Sequence, residues 1–293
     1  MTQRKACVLG SGNSAHVLAG LIASRPDWAC RIEQDGACVS VLGAKPWMEI
    51  AARPASRLQE ISETMGALIR VPCPPVPSGF VGIGLSNLCQ VIHPTVMHDF
   101  FGDWDGHTPF PQVPLFYQGM SQQAADNMHA ISDEILGLGA LLEGRFCGLD
   151  LSVVHHIWDW TLRAYGKYID DTSTLLSRFA TNRAFTGLTV PMVPAQGGGW
   201  LPDYGTRYLS EDVPYNLVGV KGLALLADHP TPTIDTILCW AQGVMGRAYL
   251  VDGEMKGPDL AQSFAPQRFG FERLEDVPEL RRGPHPTPRG ELS

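Results

Sequence analysis

Between Val71 and Gly79 the chain places four prolines in nine residues. Proline lacks the amide proton that helix and sheet ladders need, so no regular element crosses this stretch. It divides the sequence into unequal parts with different periodicities. Residues 1–79 carry short apolar runs of strand type, whereas residues 80–265 carry apolar residues at helical spacing. About 80 residues therefore make up the strand-bearing first part.

That first part opens with a run, Lys5-Ala6-Cys7-Val8-Leu9, that reads as a short buried strand. Gly10-Ser11-Gly12-Asn13-Ser14-Ala15 follows, then an apolar helix through Val17, Leu18, Leu21 and Ile22. A G-x-G-x-x-A turn between a strand and a helix is the context in which this motif cradles a pyrophosphate. Gly10 permits the tight turn, Gly12 lets backbone approach the phosphate, and Ala15 allows close packing at the helix N-terminus. A glycine turn in any α/β unit is the bland alternative. Glu33 lies about where a ribose-binding acid is expected. Cys30–Glu33 and Ala37–Leu42 alternate like strands around a Gln34-Asp35-Gly36 hairpin turn. A hairpin there replaces the helical crossover that a parallel sheet needs. The expected fold is a truncated Rossmann-like α/β part. Leu58, Ile61, Met65 and Leu68 then mark an amphipathic helix.

In the second part, Met128, Ile131, Ile135 and Leu138 form one helical stripe with Ser121 as its N-cap. Val154, Trp158, Leu162, Tyr165 and Ile169 form another. A third helix starts at Thr231-Pro232, a cap with proline at the first helical position. Gln196-Gly197-Gly198-Gly199-Trp200 reads as a loose loop, either a cover over a site or a plain surface loop. Residues 266–293, rich in Pro, Arg and Gly, read as a loosely ordered tail.

A net charge of −8 makes nucleic acid an unexpected partner. No apolar run approaches the length of a membrane span, about 20 residues. The seven cysteines are scattered and odd in number, as expected of free thiols in a reducing cytoplasm.

The acid–base candidate is His93, held before Pro94. The residue preceding a proline is pushed out of the α region, which predicts a kinked strand-to-helix junction at His93 rather than a helix interior. A satisfied core histidine is the bland alternative. His155 and His156 are adjacent and point about 100° apart on a helix, which makes them poor joint ligands. His93, His98 and His107 have no supporting carboxylate spacing, so no metal is expected.

Three blocks stand in order: Gly10-Ser11-Gly12-Asn13-Ser14-Ala15-His16, then Asn87 through His93-Pro94, then Arg207-Tyr208-Leu209 through Asp212-Val213-Pro214, followed by Pro230-Thr231-Pro232-Thr233-Ile234-Asp235. Together they resemble the octopine/nopaline (opine) dehydrogenase family. The resemblance is specific over roughly 80–260. In the first part it holds only at the two ends, as though the strands and helices between were deleted. It implies a helical second domain of the opine dehydrogenase, 6-phosphogluconate dehydrogenase-like type. It also implies an oxidoreductase that joins an amino acid to a 2-oxo acid and reduces the imine with NADP or NAD.

By the same resemblance His93 is the catalytic acid/base, Asp212 its partner, and Arg207 the substrate-carboxylate ligand, with Asn87 and Tyr208 beside the substrate. Gly10, Ser11, Gly12, Asn13, Ser14 and Ala15 would hold the cofactor. The bland alternatives are a helix N-cap for Asp212 and a surface ion pair for Arg207. The shortened first part keeps a second reading open: an enzyme without cofactor, whose His–Asp pair does non-redox chemistry such as cyclisation, isomerisation, imine formation or hydrolysis. A binding protein comes third, since a binder has no need of the dyad. A homodimer is a further expectation.

Overall fold

The computed structural model describes residues 4–5, 28–29 and 45–281. The strand and glycine turn after Lys5, the hairpin at 30–42 and the end of the tail lie outside the described residues. The chain divides between Val76 and Pro77 into two compact units.

In the first unit, strand β1 (Arg4–Lys5) pairs in parallel with β2 (Trp28–Ala29). Helix α1 (Leu58–Ile69) buries Leu68 and ends on Arg70 in the left-handed conformation. Residues 48–50 run alongside the proline-rich stretch, with Ile50 N–H donating to Pro74 O and Val76 N–H to Ile50 O. The prolines supply carbonyl acceptors there, and the missing donors fall where no ladder is required.

The second unit is built on helices. α2 (Gly79–Ser86) and α3 (Cys89–Phe101) are separated by Asn87-Leu88. Together residues 79–101 reach the length and hydropathy of a membrane span, contrary to the sequence expectation, yet most of the stretch is buried inside the fold. α4 (Gln122–Arg145) is the long central helix. Its Ser121 cap accepts from Ala124 N–H, and Met128, Ile131, Ile135 and Leu138 are all buried. α3 packs against α4, against α7 (Arg207–Ser210), against a π-helical turn (Val213–Leu217) and against α9 (Pro232–Val244). The core joins Val91, Val96 and Met97 of α3 to Ile131 and Leu138 of α4 and to Ile234, Ile237 and Leu238 of α9.

Four expectations change. First, His93 and Pro94 lie inside α3 and not at a junction. An interior proline costs about 3 kcal/mol and leaves the Gln90 carbonyl without its helical donor. Burial of Val91, Ile92, Val96 and Met97, each contributing about 1.5–3 kcal/mol, exceeds that cost. Second, α5 (Ile157–Tyr165) is short and buries Ile157, Thr161 and Ala164, which leaves Leu162 exposed. The Arg178 guanidinium carbon lies 3.4 Å from the centre of the Trp158 ring, which draws the indole out of the predicted stripe. Third, the glycine loop is the turn of a hairpin, β3 (Met192–Pro194) with β4 (Trp200–Pro202). Gly199 sits at φ +80°, and a Cβ there would fall 2.8 Å from the Phe110 carbonyl oxygen. Fourth, residues 266–281 are packed. Leu274, Val277 and Leu280 join the core, three residues apart, with Val277 N–H donating to Leu274 O and Leu280 N–H to Val277 O, so that successive turns bring i and i+3 to one side.

Thr231 precedes α9 but does not cap it. The Glu134 carboxylate accepts from the Thr233 and Ile234 N–H groups at 2.7 and 3.0 Å, and the Thr231 hydroxyl accepts from Lys221. Lys221 is itself buried and paired with Asp235 at 2.6 Å. These contacts fix α4 and α8 (Val218–Leu226) to the start of α9.

Candidate active site

His93 presents its ring from the second turn of α3. Its Nδ1 donates to Asp212 Oδ2 at 2.7 Å, across 119 residues of sequence. The two side chains are 11% and 13% exposed, so the bond is largely withdrawn from water without being sealed from a small substrate. A carboxylate accepts at Nδ1, which leaves Nε2 as the nitrogen able to exchange a proton. Tyr208 stacks on the imidazole, with centroids 4.0 Å apart and planes 17° from parallel. Phe116, fully buried, meets it edge-on at 6.0 Å. The ring is thus held on two sides and tied at one nitrogen.

The Asp212 position depends on the π-helical turn. Pro214 O accepts from Phe264 N–H at 2.9 Å, so it is unavailable to the α-helical pattern, and Val218 N–H bonds to Val213 O instead. π-turns are rare and concentrate at functional sites. Asp212 occupies the N-cap position but makes no capping hydrogen bond. Its second oxygen, Oδ1, accepts from Asn216 Nδ2 at 3.3 Å. Both carboxylate oxygens therefore serve side chains, and capping does not explain this residue.

Arg207 is exposed at the start of α7 and has no ion pair among the described residues, so the surface-pair alternative finds no partner. Burial raises the Tyr208 phenol above its ordinary value, with the Arg207 charge pulling the other way. Tyr117 behind it is raised further, again by burial. Both phenols stay protonated near neutral pH. Asn87 Oδ1 accepts from Cys89 N–H at 3.1 Å and closes the turn that joins α2 to α3. Gly10, Ser11, Gly12, Asn13, Ser14 and Ala15 lie outside the described residues. His98 meets Trp240 edge-on and His107 bonds to Asp105 on the surface, each serving its own neighbourhood.

A family model for the alpha-helical domain of NAD/NADP octopine/nopaline dehydrogenases matches residues 76–245. The chain belongs to the octopine/nopaline dehydrogenase family. Tauropine dehydrogenase of Arabella iricolor is 37% identical over 257 residues, 85% of this chain and 64% of that protein. Octopine dehydrogenase of Mizuhopecten yessoensis is 35% identical over 273 residues, 91% of this chain and 66% of that one. The chain thus spans just under two thirds of these relatives' length. Solved octopine dehydrogenase structures superpose with TM-scores of 0.73, in a complex with NADH and L-arginine, and 0.74, with NADH and agmatine. Sequence identities are 34% and 32%, and both cover 88% of this chain and 64% of the other.

Three residues around the His93–Asp212 pair in this family member escape a sequence reading built on the motifs alone. Cys89 stands four residues before His93, and Asn216 four after Asp212. Helical spacing puts such pairs on one face, but for Cys89 the signal disappears once His93 is assigned to a junction. Phe116 has no periodic signal and is found only by packing.

Proposed function

We propose that this protein is an opine-type oxidoreductase acting on an amino acid and a 2-oxo acid. In this reading His93 is the general acid/base. Asp212 holds its imidazole in the Nδ1–H form and stabilises the imidazolium when Nε2 takes a proton. Arg207 offers a planar fork of donors to a substrate carboxylate. Tyr208, next to it in sequence, stacks on the imidazole, and the family resemblance assigns Asn87 to the substrate as well. Condensation of the amine with the 2-oxo acid releases water and forms an imine. Reduction of that imine needs one proton and one hydride. The described residues supply the proton: a histidine with a carboxylate partner is a proton-transfer group and has no hydride to give.

A nicotinamide cofactor supplies the hydride when bound. The residues that would hold its pyrophosphate are Gly10, Ser11, Gly12, Asn13, Ser14 and Ala15, on the strength of the turn motif. The relatives solved with NADH support a nicotinamide cofactor. The observation that carries the proposal is the 2.7 Å His93–Asp212 bond beneath a stacked tyrosine.

Titration of the purified protein with NADH and NADPH, followed by nicotinamide fluorescence and calorimetry, tests the redox half. Saturable binding is expected. No binding up to about millimolar cofactor would sink it and leave the His–Asp pair to non-redox chemistry on an amino-acid-derived substrate.

A further inference from the structure

Cys89 has no part in the proton transfer described above, yet it adjoins the centre. One ligating atom each from Cys89, His93 and Asp212 lies within 4.8 Å of the other two. Cys89 and His93 share one face of α3, a single turn apart, and Asp212 approaches from the π-turn. Two rigid elements thus bring sulfur, nitrogen and oxygen donors to one point. All three side chains are buried or half-buried.

This donor set discriminates among cations. Magnesium and calcium take six or more oxygens, and only one carboxylate is present here. A thiolate with an imidazole and a carboxylate suits a borderline-soft divalent ion such as zinc. Three protein ligands with a fourth position left to solvent are what an exchangeable tetrahedral site provides. With Zn–S of about 2.3 Å and Zn–N of about 2.0 Å, tetrahedral donors stand roughly 3.5 Å apart. The 2.7 Å His93–Asp212 pair has to open slightly, and any donor near the 4.8 Å limit has to close by about an ångström. A rotation of the Cys89 side chain within its helix supplies a movement of that size.

We propose that Cys89, His93 and Asp212 form a site for Zn²⁺ or a cation of similar softness, and that its occupation inhibits the enzyme reversibly. The cation takes the ring nitrogen and the carboxylate oxygen from each other, so the dyad no longer moves a proton. The binding claim stands on the donor geometry alone, and the inhibitory claim rests on the function proposed above.

Co²⁺ replaces Zn²⁺ in such sites and reports on them by absorbance. Titrating the full-length protein with Co²⁺ should give one equivalent with a thiolate-to-cobalt charge-transfer band and intense visible bands of tetrahedral type. Added Zn²⁺ should abolish the bands. Cys89→Ser should lose the charge-transfer band, and Cys147→Ser and Cys239→Ser, at exposed thiols, should keep it. His93→Ala should weaken Co²⁺ binding by at least about tenfold. Cys89→Ala, with its fold checked by circular dichroism, replaces Cys89→Ser if the latter misfolds. Absence of the band in the wild type, its survival in Cys89→Ser, or indifference to His93→Ala overturns the site. For inhibition, Zn²⁺ should stop turnover and a chelator should restore it. Cobalt binding through Cys89 with full turnover overturns the inhibitory claim. An inactive His93→Ala alongside would assign that failure to the metal and not to the dyad.

Discussion

Replacing Asp212 with asparagine changes one atom and tests what the dyad is for. Asp212 Oδ1 accepts from the Asn216 amide at 3.3 Å, and Oδ2 accepts from His93 Nδ1 at 2.7 Å. In Asp212→Asn the amide has one acceptor and one donor end. To keep the Asn216 bond, its oxygen must face Asn216, so its NH₂ faces His93. Nδ1 then has to accept, the ring proton moves to Nε2, and the nitrogen that should exchange protons with substrate is blocked. Two magnitudes follow. Loss of a charge-assisted hydrogen bond is worth about 1.5–3 kcal/mol, or roughly 10- to 150-fold in rate. Inverting the tautomer is worth about 10⁴-fold, the size seen when the aspartate of a serine-protease triad becomes asparagine. The near-isosteric Asp212→Asn should therefore be more damaging than Asp212→Ala, the reverse of the order that packing alone predicts. Long-range ¹H–¹⁵N spectra of ring-labelled protein should show protonated Nδ1 in the wild type and protonated Nε2 in Asp212→Asn. Adding Asn216→Leu frees the amide to turn and should recover part of the activity. Asp212→Asn turnover within about threefold of wild type, or an unprotonated Nε2 in that variant, would refute the reasoning.

Three further outcomes follow from other parts of the molecule. Arg207→Ala should raise KM for the carboxylate substrate by at least about tenfold with a smaller change in kcat, and a change confined to kcat would remove Arg207 from substrate binding. Leu274→Ala empties a fully buried position and should lower stability by about 2–5 kcal/mol by denaturant unfolding, whereas a loosely held tail would give no change. His98 and His129 are both lowered below the ordinary histidine value, chiefly by burial. The folded state therefore binds fewer protons than the unfolded chain. Stability should be full above the unfolded value, about 6.5, and fall as pH drops through the lower folded values. His129→Gln should flatten that slope, and a slope unchanged in the variant would exclude His129.

Much of this was readable from residue order, and the failures have physical causes. The α4 stripe was legible because Met128, Ile131, Ile135 and Leu138 combine helical period with a true Ser121 cap. The hairpin around Gly197–Gly199 was not, because its strands are three residues each and carry no alternation. Residues 274–280 were misjudged from composition, since three buried aliphatic residues among prolines and arginines do not shift an average. The α9 cap was missed because Glu134, 99 residues away, does the capping. Within the site, the motif residues His93 and Asp212 were named correctly as a pair in contact. The helical neighbour Cys89 was lost with a single backbone assumption at Pro94, whereas Asn216 lies on the Asp212 segment, which that assumption does not touch.

That assumption bears on why both halves of the dyad are followed by a proline. Pro94 removes an N–H from α3, and Pro214 removes one from the turn after Asp212. In each case a helical carbonyl loses its usual donor one turn earlier, and the local ladder is weakened beside the functional side chain. At Asp212 the consequence is visible. The Pro214 carbonyl turns to Phe264, the hydrogen bonding lengthens to a π-turn, and Asp212 is left uncommitted to capping. An aspartate that capped its helix would aim its oxygens at backbone amides, where they could not reach His93. The proline two residues on, with the Phe264 segment that takes its carbonyl, is thus a condition for the dyad. The Gly219 position supports this: a Cβ there would come within 3.4 Å of the Phe264 carbonyl oxygen. Gly219→Val should push the Phe264 segment away, return the Pro214 carbonyl to the helix, and lengthen the His93–Asp212 bond. The readout is the Nδ1 proton, which should broaden or vanish in Gly219→Val while the helical content is kept. A sharp, unshifted Nδ1 proton would show that the Phe264 segment has no part in setting the π-turn.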